Sequence, residues 1–465
     1  MSAHTVSRGL DVPITGVPSQ VIHAARDVSK VGLLPPDARG VRPRLMVQVG
    51  DTVRAGQPIY QDRRDERLRV TAPVAGRVEA IHRGDRRVIQ SVMLDVSPPD
   101  FSDAVAPFAS WSHSIGRDPA KLRALLLESG LWTALRTRPF SEVPSPDATP
   151  HALFVTAMDT QPLAPHVDVI IAERSEDFAR GLEALVALTD APVYLCRALG
   201  SHSGDGVKGV HVAEFTGKHP AGTVGYHIHR LAPVSREHVA WHLGAQDVMR
   251  FGALLRTGHL DATQVVSLGG PLVREPRLLR TVLGANVREL LHGELNAGDT
   301  HAASSNGHGA TRDHRIISGS VLTGRQVDDD ITGYLGRFHQ QISVIPESRA
   351  SAFLGWMLPA SRSYTYLPVF LASWARQRER AFDTRLHGGR RAMVPIGLYE
   401  EVMPMDLMPT HLLRAISVGD AEWAESLGVL ELDEEDVALC TFVCPSKYEY
   451  GAALRRVLDL IASER

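Results

Sequence analysis

Two of the three cysteines in the chain have a spacing that iron–sulfur proteins use. Cys440 and Cys444 lie in the stretch CTFVCP, which matches the last part of the ligand pattern C-x2-C-x2-C-x3-C-P. A [4Fe–4S] cluster takes four thiolates, but only two are available here, because Cys196 falls in a different predicted domain. We therefore predict two free, partly buried thiols and no cluster. A small, odd number of cysteines also favours a reducing compartment over a disulfide framework.

A group of histidines is the second candidate ligand set. His227 and His229 are two residues apart, and His219 and His242 lie nearby in the sequence. On a β-strand this spacing would place the two imidazoles of His227 and His229 on one side. Two imidazoles and a carboxylate can bind a transition metal. No cysteine or HExxH helix accompanies them, so we interpret the pair as a polar sheet edge and predict no metal site.

A third candidate is a nucleotide-binding turn. A dinucleotide fold places G-x-G-x-x-G between a strand and a helix, so that backbone N–H groups hold the pyrophosphate. The turn after the predicted strand at residues 152–157 is Met-Asp-Thr-Gln-Pro, without a glycine, and Asp159 would repel phosphate. The glycines of residues 200–206 lie in a polar, acidic stretch that is typical of a surface loop. These features argue against nucleotide binding by this chain.

Residues 47–81, VQVGDTVRAGQPIYQDRRDERLRVTAPVAGRVEAI, contain two similar half-motifs. In each half, Val, Ile and Thr alternate with polar residues between Gly or Pro turns, which predicts small twisted strands. The pattern resembles the barrel-sandwich hybrid of lipoyl and biotinyl carrier domains, in which a lysine at the hairpin tip holds the cofactor. The hairpin here, residues 62–67, has no lysine, and Asp65 lies about where the modified residue would be. We predict a rigid docking head with a carrier-like fold and no covalent swinging arm.

Length and composition limit the number of domains and the classes of function for this chain. A chain of 465 residues suggests about three domains of ~150 residues. The formal net charge of −3 gives no indication of nucleic-acid binding. The first residues, MSAHTVSRGLDVPITG, lack the apolar core of a secretory signal, and no window approaches the about 18 apolar residues of a membrane helix. We expect a soluble protein, or one that is peripheral to a membrane through its partners.

Residues 1–30 predict an extended lead-in that packs on the head, and residues 97–100 predict a break after it. Beyond the break, strand-like and helix-like runs alternate, which implies a parallel sheet. The predicted helices cover residues 119–130 and 176–189, and the predicted strands cover residues 152–157, 167–173 and 192–196.

The remainder of the chain combines short strands, a polar loop and segments with helical spacing. Residues 265–291 predict a short strand, a Gly-Gly-Pro turn and a helix, residues 295–312 a polar loop, and residues 315–327 paired strands. Together they are compatible with a β-grasp module. Helical spacing follows in residues 349–377, 410–427 and 453–462. The acidic residues 433–436 suit a helix N-terminus electrostatically.

The assembly of these segments is more specific than any one of them. The chain resembles, nearly from end to end, the NqrA family of subunits of the Na⁺-translocating NADH:quinone oxidoreductase. The motifs that carry the resemblance are GLDVPITG, LMVQVGDTVRAGQPIYQDR, TAPVAGRVEAI, FVTAMDTQPLA, HPAGTVGYHIH, VVSLGGPLV, RIISGSVL and LELDEEDVALCTFVCPSKYEYG. That family is similar to the iron–sulfur RnfC subunit of the Rnf complexes and to the flavin-binding subunit of respiratory complex I. This chain departs from those two relatives, because it lacks their glycine-rich loop and their cysteine quartets.

The resemblance implies a multidomain α+β fold. Its parts would be a barrel-sandwich hybrid head with the lead-in (residues 1–100), a Rossmann-like α/β domain (105–258), a β-grasp, SLBB-like domain (259–345) and a helical C-terminal domain (346–465). The last of these would carry the degenerate ferredoxin-like cysteine motif.

The resemblance also implies a function. The family's membrane complex oxidises NADH, reduces ubiquinone and exports Na⁺, with its flavins and Fe–S centres on other subunits. The NqrA subunit would be a cofactor-free member at the cytoplasmic face of the bacterial inner membrane, held there by its partner subunits. It would act in assembly and in the quinone half-reaction, and the isolated chain would not be catalytic.

Binding of the quinone head group by this chain is a second hypothesis. Quinone sites need apolar walls and one or two hydrogen-bond donors. Residues 31–34 could supply the walls, with Arg39 or Arg42 as the donor, although the same residues also suit a loop that packs on the first strand. A stand-alone quinone- or nucleotide-binding oxidoreductase is the remaining alternative, and the missing glycine loop argues against it. The sequence assigns no catalytic residue.

Overall fold

The computed structural model describes residues 2–97, 107–112, 118–296, 314–327, 330–348, 364–366, 378–386 and 388–464. Its strands are β1 (Ser2–Val6), β2 (Ser19–Ala24), β3 (Lys30–Leu33), β4 (Pro43–Leu45), β5 (Thr52–Val53), β6 (Pro58–Asp62), β7 (Arg69–Thr71), β8 (Gly76–Arg83), β9 (Ile89–Asp95), β10 (Arg136–Arg138), β11 (Ala152–Ala157), β12 (Val193–Ala198), β13 (Val210–Gly217), β14 (Ala240–Gly244), β15 (Thr263–Gly269), β16 (Arg277–Val282), β17 (His314–Ser318), β18 (Arg325–Gln326) and β19 (Gln341–Pro346).

The α-helices follow the same order. They are α1 (Pro119–Glu128), α2 (Val167–Ala172), α3 (Ser175–Leu188), α4 (Val224–Leu231), α5 (Ala245–Thr257), α6 (Val287–Leu290), α7 (Leu398–Val402), α8 (Pro409–Val418), α9 (Ala421–Ser426), α10 (Ala438–Val443) and α11 (Tyr450–Ser463). Within the described part of the chain, none of them has the length and hydropathy that crossing a membrane requires.

The largest core surrounds a six-stranded sheet, which we call the central sheet, with the order β1-β13-β12-β11-β14-β10. Every neighbouring pair is parallel except β10 with β14. Alternate residues of β11 point to opposite faces. Leu153 and Val155 pack with α1, α3 and α5, whereas Ala152 and Phe154 pack with the C-terminal helices. The C-terminal helices therefore form one of the two layers that cover this sheet.

One predicted strand of this region is a helix. The sequence predicts a buried strand over residues 167–173, but α2 covers most of them. A short apolar run does not distinguish a strand from one buried helical turn. The buried residues of α2 are Val167, Ile170 and Ile171, which is the i, i+3, i+4 spacing of a helix that covers a core. The predicted strands at 152–157 and 192–196 and the predicted helices at 119–130 and 176–189 are present with bounds shifted by at most a few residues.

The N-terminal residues do not pack on the head as expected. Strand β1 lies parallel to β13 at the edge of the central sheet, with Ser2 opposite Ala213. Strand β2 lies parallel to β16 at the edge of another sheet. The sequence shows that such a segment is extended, but it does not show which edge it joins, because any exposed strand edge offers the same backbone hydrogen bonds.

The head consists of two small antiparallel sheets, β3-β9-β8-β5 and β4-β6-β7. Between them lies a core of its own, which includes Val53, Ile59, Val78 and Leu94. The two half-motifs of the sequence correspond to β5–β6 and β7–β8, and the hairpin between them joins β6 to β7. The head is thus a compact unit built from the strands that the sequence pattern predicts.

A second six-stranded sheet has the order β18-β17-β19-β15-β16-β2. We call it the third sheet, because most of its strands follow the head and the central sheet in the sequence. Much of the helix predicted after the Gly-Gly-Pro turn is the strand β16, antiparallel to β15, and only α6 is helical. Pairing with β15 outweighs the weak helical spacing of this run. The paired strands predicted over residues 315–327 are confirmed as β17 and β18.

The C-terminal helices agree with the prediction where they are described. Residues 410–427 form two helices, because Gly419 ends α8 in the left-handed conformation and Asp420 caps α9. The final helix, α11, extends slightly beyond the predicted residues 453–462. The helix predicted over residues 349–377 lies outside the described residues, apart from residues 364–366.

A pair of glycine variants tests the position of β1. Gly217 and Gly200 both have positive φ, but a Cβ at Gly217 would overlap the carbonyl oxygen of Val6, whereas a Cβ at Gly200 would meet nothing within 4 Å. We expect Gly200→Ala to cost about 1 kcal/mol from backbone strain alone. Gly217→Ala should cost about 1–3 kcal/mol more, because the chain must also move away from β1. Urea unfolding of both variants measures the difference, and equal losses would contradict this placement of β1.

Candidate functional site

The hairpin tip of the head is bound to the neighbouring part of the chain. Arg67 is 2.7 Å from Asp65 and 2.6 Å from Asp147, a residue of the loop that precedes β11. Asp65 lies about where a carrier has its modified residue, and its carboxylate forms an ion pair with Arg67 of the same hairpin. These side chains are largely exposed, so each ion pair contributes little energy. Together they hold the tip against the central sheet's loops, which is unlike a free swinging arm.

His227 and His229 lie on the helix α4 and not on a strand, which corrects the predicted sheet edge. Two residues apart on a helix, their side chains point in very different directions. His227 is buried, with Nε2 2.9 Å from the carbonyl oxygen of Ala221, and burial lowers its pKa to about 4. His229 instead has Nδ1 2.7 Å from the carboxylate of Glu431. The described residues contain no group of three or more His, Cys, Asp or Glu that could hold a metal ion.

The cysteine pair lies at the end of α10, in the apolar core of the C-terminal helices. Cys440, Cys444 and the distant Cys196 are all free and fully buried. Burial raises the pKa of Cys440. Burial also acts to raise the pKa of Cys444, but the Tyr399 hydroxyl donates to its sulfur at 3.2 Å and the net pKa is lowered. The pair therefore occupies a packed protein environment of aromatic and aliphatic side chains.

The turn after β11 is closed by protein atoms. The backbone N–H of Gln161 donates to the Asp159 carboxylate at 2.8 Å, and burial raises the pKa of Asp159 to about 6. The Thr160 hydroxyl accepts from the backbone N–H of Gly222 at 2.9 Å. At this turn a nucleotide-binding fold would offer free N–H groups to phosphate. Here the N–H of Gln161 is used within the chain.

The acidic residues 433–436 are the part of the site that sequence reasoning missed. They do start a helical turn, in which Asp433 and Asp436 form a capping box. The sequence predicts a favourable interaction with a helix N-terminus, and in the structure Asp433 and Asp436 are also buried next to an arginine of the central sheet. Arg138, at the end of β10, donates to Asp436 and Glu435 at 2.8 Å each. No signal in the sequence joins residues almost 300 positions apart.

A second arginine completes this cluster, which we call the arginine–carboxylate cluster. Arg455 on α11 donates to Asp433 and Glu434, and Arg39 from the head lies 3.3 Å from Glu434. The four carboxylates respond differently. Although burial acts to raise it, Arg138 and Arg455 hold the pKa of Asp433 well below its usual value. Burial and the neighbouring Asp436 raise the pKa of Glu435 to about 7.

A cavity of about 440 Å³ lies beside this cluster. It opens at the carboxyl ends of β11 and β14, and we call it the switch-point cavity. The chain leaves β11 toward β12 on one side, whereas β14 lies on its other side, so the cavity is at a topological switch point. Open α/β sheets bind ligands at that position. Residues that line it include Arg136, Thr156, Asp159, His242, Phe338 and Gln340.

A second, smaller cavity adjoins the predicted quinone wall. It measures about 90 Å³, and we call it the head cavity. Gly32, Leu33 and Leu34, three of the four residues that the sequence names as an apolar wall, line it together with Leu131 and Leu335.

The two arginines that the sequence names as donors lie outside the lining of this cavity. Neither Arg39 nor Arg42 lines the head cavity, because Arg39 extends to Glu434 and the backbone N–H of Arg42 donates to Asp62. The polar groups that line it are Thr71, Thr133, Ser129, Asp37 and Arg337.

Comparisons with known families agree with this architecture. Residues 4–97 match the model of the NqrA N-terminal barrel-sandwich hybrid domain, which confirms the predicted fold of the head. Residues 117–260 match the NqrA second alpha/beta domain, and residues 265–304 match the NQRA C-terminal domain of SLBB type.

Full-length relatives carry the same description. The chain is 46% identical over 465 residues to the NqrA subunit of the Na(+)-translocating NADH-quinone reductase of Yersinia pseudotuberculosis serotype I (strain IP32953), with 99% of each chain covered. It is also 46% identical over 462 residues to the NqrA subunit of Serratia proteamaculans (strain 568), again with 99% of each covered. A solved chain of NAD+-reducing [NiFe]-hydrogenase in the air-oxidized state covers 77% of this chain and 64% of its own at 11% identity, with a TM-score of 0.39, which is too low to carry an argument.

The raised pKa of Glu435 predicts a pH-dependent effect of Glu435→Gln. Between its usual pKa of 4.5 and about 7, the folded state keeps a proton on Glu435 that the unfolded chain has lost. This contribution to stability is lost as the pH rises through 7. Since the side chain is 31% exposed, we expect Glu435→Gln to stabilise the protein by about 1–2 kcal/mol at pH 8 and hardly at all at pH 4.5.

Urea unfolding midpoints at pH 4.5, 6 and 8 measure this gain. The matched control is Glu425→Gln, because the pKa of Glu425 is lowered by its hydrogen bond with Arg236 and does not enter this range. A gain for Glu435→Gln that does not change with pH would contradict the assignment.

Proposed function

Because the chain belongs to the NqrA family of the Na(+)-translocating NADH-quinone reductase, we propose that it serves as the NqrA subunit in a complex that couples NADH oxidation and ubiquinone reduction to Na⁺ export. The observation that carries the proposal is the 46% identity over 99% of both chains. A match that includes the head, the central sheet, the third sheet and the C-terminal helices supports the role of the whole chain and not of one module.

We further propose that the chain holds no cofactor of its own. A [4Fe–4S] cluster would need four thiolates, and the whole sequence has three cysteines, of which Cys196 lies in the central sheet. The turn after β11 has no glycine, and its Gln161 N–H is bound to Asp159, which opposes a bound nucleotide. Electron transfer and the NADH site would then belong to the partner subunits. Stoichiometric flavin or iron in the purified chain would contradict this proposal, and binding of NADH to it would favour a stand-alone oxidoreductase.

The finer domain assignments belong to the same proposal. We assign residues 105–258, with the parallel strands of the central sheet, to a Rossmann-like domain, and residues 259–345 to a β-grasp domain. We assign residues 346–465 to a helical domain, whose described helices α7–α11 pack on one face of the central sheet. We place the protein at the cytoplasmic face of the inner membrane, where the other subunits of the complex hold it.

The head is the part that we propose for docking on those subunits. The ion pair of Arg67 with Asp147 places the hairpin tip against the loop before β11. We therefore do not propose that the tip moves as a carrier arm does. Two large apolar side chains of its loop between β4 and β5 are exposed to solvent, Met46 by 50% and Val49 by 61%. Apolar side chains at the centre of an interface supply most of its binding energy. Met46 and Val49 are therefore candidate contacts with a partner subunit.

The double variant Met46→Asp/Val49→Asp tests the docking role. Exposed substitutions change the stability of the chain by only about 0.5 kcal/mol, so the variant should fold normally. Two charges in an apolar interface should lower its recovery in the affinity-purified complex by at least about tenfold. The control is Val418→Asp, a variant of a 77% exposed side chain at the end of α8. Equal recovery of the wild type and the double variant would show that this loop is not the anchor.

Quinone binding next to the head is the second function that a specific observation favours. The head cavity has apolar walls from Leu33, Leu34 and Leu335 and a cationic donor in Arg337. Ligand pockets usually measure about 300–1,000 Å³. The head cavity measures about 90 Å³, so a quinone ring would have to displace side chains to enter it. We therefore propose the cavity as a site that opens on binding, and not as a preformed pocket.

Leu34→Trp tests this proposal by filling the cavity. With a short-chain ubiquinone, we expect saturable binding to the wild-type chain by calorimetry and at least about tenfold weaker binding to the variant. Leu386→Trp is the control, since it adds the same indole at a 64% exposed surface position. Equal binding to both variants would remove the head cavity as the quinone site.

A further inference from the structure

We propose that the switch-point cavity binds a polar small molecule through an oxyanion, a carboxylate or a phosphate, with Arg136 as its charged partner. Its volume of about 440 Å³ is within the usual range of ligand pockets. The proposal goes beyond the complex and its quinone chemistry, and it does not depend on the head cavity. It rests on three neighbouring side chains of the central sheet that have polar atoms without partners.

Arg136 is the first of these residues. Its guanidinium lies 4.2 Å from the centre of the Phe338 ring. Among the residues that the structure describes, none accepts a hydrogen bond from this guanidinium or forms an ion pair with it, and its Nε is buried without a partner. A guanidinium carries five N–H donors in a planar fork that matches carboxylate and phosphate oxygens. The side chain is half-buried at the cavity, and only its Nε is a buried atom without a partner. An acceptor in the cavity would therefore bind the terminal N–H groups and offset part of the cost of burying the charge.

His242 and Thr156 stand beside it on the same face of the sheet. His242 is the cross-strand partner of Arg136, and it is also opposite Phe154 on β11, two residues before Thr156. His242 is 2% exposed, and its Nε2 and the Thr156 hydroxyl are buried without a hydrogen-bond partner. Burial, with Arg136 and Arg138 nearby, lowers the pKa of His242 well below its usual value, so the ring is neutral. Neither atom has accessible surface at the cavity, so each side chain must rotate slightly toward a ligand. A neutral imidazole and a hydroxyl can then each donate one hydrogen bond to the oxygen that Arg136 attracts.

The nearby carboxylates do not take this place. Asp159 and Asp37, which also line the cavity, accept hydrogen bonds from the backbone N–H groups of Gln161 and Arg337, and the anion would have to bind at the Arg136 side, away from them. Asp436 and Glu435 are hydrogen-bonded to Arg138, and Asp433 and Glu434 to Arg455. They act on Arg136 only at longer range, where Glu435 and Asp433 offset its charge. Glu435, whose pKa is raised to about 7, carries only part of its charge at neutral pH. The cluster thus offsets the charge of Arg136 without accepting hydrogen bonds from its N–H groups.

The cavity also offers contacts for the remainder of such a ligand. Gln161 and Gln340 line it, and each has a side-chain oxygen without a partner. Because an amide presents both a donor and an acceptor, these side chains can bind hydroxyl groups in either sense. The chemistry therefore fits a hydroxylated organic acid or phosphate ester, with the anionic end at Arg136.

Thermal unfolding of the full chain tests the proposal with two probes, malonate for the carboxylate and inorganic phosphate for the phosphate. A ligand that binds only the folded state raises the melting temperature in a saturable manner. We expect a saturable rise with at least one probe, measured against sodium chloride at the same ionic strength. The probe that acts at lower concentration identifies the type of anion. A response to neither probe beyond that of chloride would overturn the proposal and leave a water-filled cavity.

Three variants locate the binding. Arg136→Gln should weaken the apparent affinity at least tenfold, and Thr156→Val, which keeps the arginine and the side-chain shape, should weaken it about two- to fivefold. Arg180→Gln is the control, because Arg180 forms a surface ion pair with Glu176 on α3, outside the cavity. If Arg136→Gln does not fold, Thr156→Val carries the test alone. Unchanged affinity in Thr156→Val, or in a folded Arg136→Gln, would place the anion elsewhere and overturn the proposal.

Discussion

The buried guanidinium of Arg138 is the interaction on which the arrangement of this chain depends. It lies 1% exposed at the end of β10 and bonds to carboxylates of residues 433–436. Removing one partner of a buried ion pair typically costs about 3–5 kcal/mol, because the other charge is left without compensation. The edge of the central sheet and the start of α10 are therefore tied together by charge as well as by apolar packing. Arg455 and Arg39 extend the tie to α11 and to the head.

The N-terminal residues impose a second constraint of the same kind. Within 24 residues they supply an edge strand to the central sheet and an edge strand to the third sheet. Both partners are more than 200 residues away in the sequence, so these pairs close very long loops and contribute late to folding. The sheets are thus linked by the chain itself. The head, whose strands are local in sequence, is the part of the structure with the most self-contained core.

The sequence predicted what depends on local pattern and missed what depends on distant partners. The strand β11 and the helix α3 follow from apolar runs of clear length and period. The short run at α2 and the histidine pair on α4 were assigned to strands, because a few residues satisfy either period. The contact between Arg138 and Asp436 spans 298 positions, and no local signal marks either residue as half of a buried pair. No local signal marks Arg136 either, since its neighbour His242 comes from another strand.

The turn after β11 does not present a nucleotide site, although the strand order still produces a cavity beside it. A nucleotide fold holds phosphate with free backbone N–H groups at this turn. Here the N–H of Gln161 is bound to Asp159 and the Thr160 hydroxyl is bound to the loop before α4, so these groups are used within the chain. The crevice between β11 and β14 is a consequence of strand order and does not depend on glycines. It therefore persists, and its donors now come from the side chains of β10, β11 and β14.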